Sequence, residues 1–291
     1  MINEFEYLAP KTAEEALSLL SQYKEEAKII AGGQSLLVPM KQGLLTPEYL
    51  IDIKGISALD YITYDDPQGL RIGALTIHRN IEKSPIIQEH FRVLSEMEQN
   101  LATVQTRNWG TIGGNLCHGD PAGDPAAVFI ALKAKLKLSS PGQERIIDME
   151  EFSKDYLEVA LELDEILTEI QVPTPPPNTG TAYEKLMFQK GDMGIIGAAV
   201  SITLSPGESV CEDARIVLSN TASIPLRVRQ AERLLVGKVI NDDLLTEAGE
   251  VASAETDPPS DVHGSAEYRR EMVKVFVRRV ARIALERAKA E

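Results

Sequence analysis

Ala13, Ala16, Leu17 and Leu20 recur at i, i+3, i+4 and i+7, the spacing of one helix face, and Thr12 with Glu15 forms a capping box ahead of them. The pattern predicts a helix over residues 13–23. Lys28-Ile29-Ile30-Ala31 reads as a short buried strand, residues 36–40 as one helical turn, and residues 49–53 as a second strand. A second unit opens near Ser57, with a strand over 70–74 and a helix start at Thr76. Ile87, Phe91, Leu94, Met97 and Leu101 predict one helix over 85–102, and Asp124-Pro125 reads as N-cap and N1 of a helix reaching Leu132. Strands over 134–138 and 164–172 follow, and then Pro173-Thr174-Pro175-Pro176-Pro177-Asn178-Thr179-Gly180, a stiff stretch unsuited to a sheet. Beyond it, strands over 182–188, 195–204 and 214–220 suit an antiparallel sheet with one covered face, and helices over 226–236, 242–254 and 265–290 complete the chain. The fold class is α+β, divided as 1–56, 57–172, a proline-rich linker 173–180, and 181–291, the last a three-stranded antiparallel sheet backed by three helices.

Composition narrows the functions. A length of 291 residues fits two domains, and 43% hydrophobic residues suffice for a real core. A net charge of −14 argues against nucleic acid, whose phosphates demand a basic patch. The basic residues of the last helix, Arg269, Arg270, Lys274, Arg278, Arg279, Arg282, Arg287 and Lys289, read as a solvated face, with an acidic docking partner as the second reading. No window approaches the ~18 apolar residues of a membrane span, and the first residues do not resemble a secretory signal, so a cytoplasmic location is expected. Cys117 and Cys211 are too few and too far apart for a disulfide framework, a zinc site or an iron–sulfur cluster, and the four histidines share no ligand spacing.

The chemistry is concentrated in two glycine pairs, Ala31-Gly32-Gly33-Gln34-Ser35 and Gly110-Thr111-Ile112-Gly113-Gly114-Asn115. Paired glycines let a backbone take left-handed angles and approach a ligand closely, and successive amides in such a turn form a nest for an anion. Taken singly, each pair also reads as an ordinary tight turn. Neither has the G-x-G-x-x-G form of a dinucleotide-binding helix start.

These segments, together with Gly119-Asp120-Pro121-Ala122-Gly123-Asp124, Leu45-Thr46-Pro47-Glu48-Tyr49-Leu50-Ile51-Asp52, Ala182-Tyr183-Glu184-Lys185 and Ala266-Glu267-Tyr268-Arg269, occur in an order that resembles the FAD-binding medium subunit of molybdenum hydroxylases. This is the xanthine dehydrogenase and aerobic carbon monoxide dehydrogenase family, and the resemblance runs over essentially the whole chain. It implies a two-lobed FAD-binding domain of the VAO/PCMH-like type followed by a sheet-and-helix domain. On this resemblance Ala31, Gly32, Gly33, Gln34 and Ser35, with Thr111, Gly113, Gly114 and Asn115, hold the diphosphate, and Ile30, Leu36 and Gly110 beside them also bind the cofactor. Asp124 matches an acidic residue beside the ribose or ribityl hydroxyls, and Leu101, Ala102 and Thr106 line the cofactor. Ile166 and Leu167 match an apolar pair packed by the flavin ring, while Cys117 is a small residue beside the cofactor. Lys185 and Met193 carry over as well, although Gly191-Asp192-Met193-Gly194 departs from the family, which often has an aromatic residue against the flavin there.

The implied role is a relay. Substrate is oxidised at molybdopterin on a large partner subunit, electrons pass through [2Fe-2S] clusters on a small one, and FAD on this chain reduces a terminal acceptor. The assembly implied is a dimer of heterotrimers, and no catalytic acid, base, nucleophile or metal ligand is assigned to this chain. The chain lacks the four-cysteine insertion of the subclass that reduces phenolic thioesters. The alternatives are a stand-alone flavoprotein oxidoreductase and a cofactor-free interaction module.

Overall fold

The first helix forms where its cap and apolar stripe place it. In the computed structural model, which describes residues 3–207 and 210–290, helix Ala13–Tyr23 buries Ala16, Leu17 and Leu20. Thr12 Oγ1 accepts from the Glu15 amide at 3.2 Å, while the Glu15 carboxylate accepts from the Lys11 amide at 2.7 Å. The helix packs on a parallel sheet in which Tyr49–Asp52 lies between Glu6–Leu8 and Ala27–Ile30. Strand Glu6–Leu8 is too short to show a period in the sequence.

The second unit is built on a five-stranded antiparallel sheet, in the order Ile62–Asp65, Gly69–Gly73, Ile166–Val172, Lys135–Ser140, Gln143–Asp148. Six short helices cover it, from His78–Lys83 to Asp124–Ala131. The single helix expected over 85–102 is broken into Pro85–His90 and Arg92–Asn100. Phe91 leaves helical geometry (φ −138°, ψ 51°) yet keeps its ring 97% buried in the core, so the apolar spacing continues across a backbone break. Expected as an N-cap, Asp124 is instead the first helical residue: Gly123 holds the cap position, with no side-chain hydrogen bond. The Asp124 carboxylate has turned inward to partners on another strand.

The C-terminal sheet has four strands rather than three, ordered Thr179–Leu186, Ile196–Leu204, Cys211–Ser219, Leu226–Arg227. Leu226 and Arg227 pair with Leu218 and Val217, so the helix expected over 226–236 forms only as Arg229–Leu235. Strand Thr179–Leu186 begins at the last two positions of the proline-rich stretch. Gly180 is there for closeness rather than flexibility, since a Cβ on it would stand 2.0 Å from the Ala284 carbonyl of helix Ala266–Ala290.

Both faces of this sheet are covered, contrary to the one-sided reading. Ala198, Val200 and Ile202 join Val273, Val277 and Val280 in one core, while Tyr183, Ala199 and Val217 pack into the core of the second unit. The last helix is likewise less solvated than its charges suggested. Arg269 is fully buried, Arg282 pairs with Asp242, and Arg287 reaches across to Glu96 and to the Thr181 carbonyl.

Candidate functional site

The two glycine pairs meet, and glycine is what lets them. A Cβ on Gly32 would lie 2.2 Å from the Trp109 carbonyl oxygen and 2.7 Å from the Gly110 Cα. A Cβ on Gly110 would lie 3.4 Å from Gln34 Cγ. Residues more than 75 positions apart therefore share one backbone junction.

Beyond that contact the two segments are built differently. In the first, Gly33 takes a left-handed φ of 71°, and Gln34 Nε2 donates to the Gly32 carbonyl at 3.1 Å. The amides of Gly32, Gly33, Gln34 and Ser35 have no protein acceptor among the described residues, which leaves them available to an anion. In the second, Thr111 caps helix Ile112–His118, so Gly113 and Gly114 are helical rather than a turn. Four of its amides are already engaged: Ile112 donates to Thr76, Gly113 to Ala74, Gly114 to Thr111 Oγ1 and Asn115 to the Thr111 carbonyl, while that of Thr111 has no acceptor among the described residues. Gly113 is required by packing, its Cβ position being 2.7 Å from Ala74 Cβ and carbonyl oxygen. The second segment therefore supplies shape, closeness and the Thr111 amide, and most of the free amides come from the first.

Asp124 joins the two domains. Its Oδ1 accepts from Tyr183 Oη at 2.6 Å and its Oδ2 from Lys185 Nζ at 2.7 Å, with the Lys185 and Asp124 side chains 3% and 5% exposed. Residues 183 and 185 sit two apart on one strand and so face the same way. Burial raises the Asp124 carboxyl above its ordinary range; the Lys185 ammonium is the main opposing influence, followed by the Tyr183 hydroxyl. Burial also holds the Tyr183 phenol well above its usual value.

The remaining expected residues divide. Ala102, at φ 45°, supplies the carbonyl against which Gly191 turns, a Cβ on Gly191 standing 2.7 Å away, so residues 101–102 and the Met193 turn come together. Met193 itself is 61% exposed. Thr106 is half-buried, and its carbonyl accepts from the Gly110 amide at 2.7 Å. Leu101 is buried, and Leu36 is half-buried beside the first segment. Ile166 and Leu167 are both buried, and they belong to different cores, that of the first unit and that of the second. The structure does not gather them onto one open face. Cys117 is partly exposed as a residue, yet packing around its sulfur pushes the thiol up to about 12, far from a reactive thiolate. No group of three or more metal-binding side chains occurs among the described residues.

Two features had no sequence signal. His78 Nδ1 lies 3.0 Å from Glu98 Oε1 with both side chains buried, and Arg107 bridges the Glu82 carboxylate and the carbonyls of Leu101 and Ala102. Both are pairings across separate helices, whereas Tyr183 stood in a quoted motif two residues from Lys185.

A model of the FAD binding domain in molybdopterin dehydrogenase matches residues 3–175, and one of the CO dehydrogenase flavoprotein C-terminal domain matches residues 181–284. The chain belongs to the molybdopterin-dehydrogenase flavoprotein family. Among family relatives, the carbon monoxide dehydrogenase medium chain of Afipia carboxidovorans is 38% identical over 98% of this chain and 97% of its own length. The glyceraldehyde dehydrogenase medium chain of Sulfolobus acidocaldarius is 33% identical over 94% and 95%. A solved carbon monoxide dehydrogenase from Hydrogenophaga pseudoflava, described as lacking the Mo-pyranopterin moiety of the molybdenum cofactor, superposes with a TM-score of 0.95 at 37% identity, covering 99% of each chain. Quinoline 2-oxidoreductase from Pseudomonas putida 86 gives 0.93 at 29% identity, again over 99% of each chain. Family membership therefore spans both domains, and the fold is that of a flavoprotein medium subunit.

Proposed function

We propose that this chain is the FAD-carrying medium subunit of a multi-subunit molybdenum-containing dehydrogenase. The observation that carries the reading is the junction of the two glycine segments, with four free amides on one side, inside a chain that matches the flavoprotein family through both domains. FAD, when bound, accepts electrons singly and releases them as a pair. The amides of residues 32–35 suit its diphosphate, and Gly32, Gly110 and Gly113 keep the cradle narrow enough for backbone contact. Asp124 is the acceptor for a sugar hydroxyl, and Tyr183 and Lys185 hold its carboxylate in place and offset its buried charge. The Ala102–Gly191 contact fixes the turn that presents Met193 to the flavin. Ile166 and Leu167 act from behind as packing, and Cys117 as an inert neighbour.

Substrate oxidation belongs in this reading to a large molybdopterin subunit, and electron delivery to a small [2Fe-2S] subunit, in a dimer of heterotrimers in the cytoplasm. Two distant cysteines are too few to ligate such clusters here. The direct test is an absorbance scan of the purified chain between about 350 and 500 nm, where bound flavin shows its visible bands. A colourless chain that added FAD leaves colourless refutes the reading. Turnover of a substrate by the isolated chain would instead favour a stand-alone flavoprotein.

A further inference from the structure

Behind the second glycine segment lies a buried pair with no part in the assignments above. The His78 amide donates to the Gly110 carbonyl at 3.0 Å, and the ring rests on Gly110, with Cδ2 3.2 Å from where a Gly110 Cβ would stand. Gln34 Cγ, on the first segment, is 3.4 Å from the same point. Nδ1 is taken by Glu98 at 3.0 Å, the two side chains being 3% and 0% exposed. Nε2 is bonded to Cδ2, so the ring edge left over by Glu98 is the one at the junction of the two segments. The second Glu98 oxygen, Oε2, is buried without a hydrogen-bond partner among the described residues. Burial raises the Glu98 carboxyl above its ordinary range, and the His78 ring is the first influence opposing it. With Nδ1 taken, Nε2 is the ring nitrogen left to serve as a donor.

The second segment also needs a donor. Its amides from Ile112 to Asn115 already have acceptors, so among the described residues the second segment offers an anion lying across the junction only the Thr111 backbone N–H. We infer that His78, braced by Glu98, is a further cofactor-binding residue that donates from Nε2 to the FAD diphosphate on the side of the second glycine segment. This rests on the FAD reading. The other charged groups around the pair are Asp124, with Lys185 and Tyr183 bonded to it, and Arg107, which is paired with Glu82.

The test uses the full chain, stripped of flavin and titrated with FAD, in wild-type form and as His78→Gln. Glutamine keeps an amide donor for Glu98 but removes the ring donor at Nε2. FAD affinity should fall about ten- to a hundredfold, the usual worth of one charge-assisted hydrogen bond. The visible spectrum of the flavin that still binds should be unshifted, because the isoalloxazine end is untouched; a general collapse of the site would shift it. In histidine ¹⁵N-labelled wild-type protein saturated with FAD, the His78 ring should show a protonated Nε2. An FAD affinity within about twofold of wild type, or an unprotonated Nε2 at saturating FAD, overturns the inference. Should His78→Gln not fold, Glu98→Gln, which alters the group that braces Nδ1 and so orients the ring, is expected to weaken FAD in the same direction, and unchanged affinity there also overturns it. Failure of the wild-type chain to take up FAD is seen before any variant is made and refutes the underlying function instead.

Discussion

Replacing Gly32 by alanine puts one methyl group into the contact on which the site depends. The new Cβ would stand 2.2 Å from the Trp109 carbonyl oxygen, 2.7 Å from the Gly110 Cα and 2.8 Å from the Trp109 carbonyl carbon, all of them backbone atoms. An unstrained contact needs roughly 3.5 Å, so the two segments must separate by about 1 Å. No side chain can swing aside to absorb it. Overpacking of this kind costs about 1–3 kcal/mol, which for a chain of this size lowers the melting temperature by roughly 3–10 °C. The larger effect falls on FAD, because a 1 Å displacement removes the simultaneous fit to both segments; we expect about a tenfold or greater loss of affinity. Gly55→Ala is the control, since nothing lies within 4 Å of its Cβ position and its φ is not left-handed. It should change melting temperature and FAD affinity by amounts equivalent to less than about 0.5 kcal/mol. Differential scanning fluorimetry and quenching of FAD fluorescence measure both quantities. A Gly32→Ala chain that binds FAD as well as Gly55→Ala does would refute the argument that the junction is the site.

Three further outcomes follow from the geometry. Lys185→Met removes the main partner of the buried Asp124 carboxylate and should cost about 3–5 kcal/mol at neutral pH. Because burial already raises the Asp124 pKa in the folded chain, the native state binds the extra proton, and this group's contribution to stability falls as pH rises above the ordinary aspartate range. Losing Lys185 raises that pKa further, so urea titrations should show a smaller cost at about pH 5.5 than at about pH 8, and an equal cost would contradict the assignment. A thiol reagent at neutral pH should modify Cys117 at least about tenfold more slowly in the native chain than in urea, since packing raises its thiol; equal rates would show that the sulfur is open. Met193→Ala should leave the melting temperature within about 0.5 kcal/mol equivalent because the side chain is exposed, yet change the fluorescence of bound flavin. An unaltered flavin signal would remove Met193 from the site.

Much of this protein was legible where the governing forces are local. Helix Asp242–Ala254 lies where its pattern predicts, because Asn241 caps it by accepting from the Leu244 amide at 2.8 Å and because Leu244, Leu245, Ala248 and Ala252 form one stripe. Helix Pro85–His90 starts at its proline for the same kind of reason, with Ser84 as cap. The break at Phe91 was invisible, since the apolar spacing of the two helices either side stays in phase. The strand at Leu226–Arg227 was hidden too, because two residues have no period and only the neighbouring Val217 and Leu218 make them a strand.

At the site, sequence alone determined which residues could be glycine-dependent and which family the ordered motifs resemble. Tertiary structure decided what each glycine is for. Gly33 takes the left-handed angle, Gly32 admits the Trp109 carbonyl, and Gly113 admits Ala74. Whether an amide is free to bind an anion depends on acceptors far along the chain: Thr76 and Ala74 consume those of Ile112 and Gly113, while no partner among the described residues does so for residues 32–35. The pairing of His78 with Glu98, and of Asp124 with Tyr183 and Lys185, has the same origin. Hydrogen bonds between distant residues leave no period in a sequence, and they are what turn two similar glycine pairs into two different halves of one site.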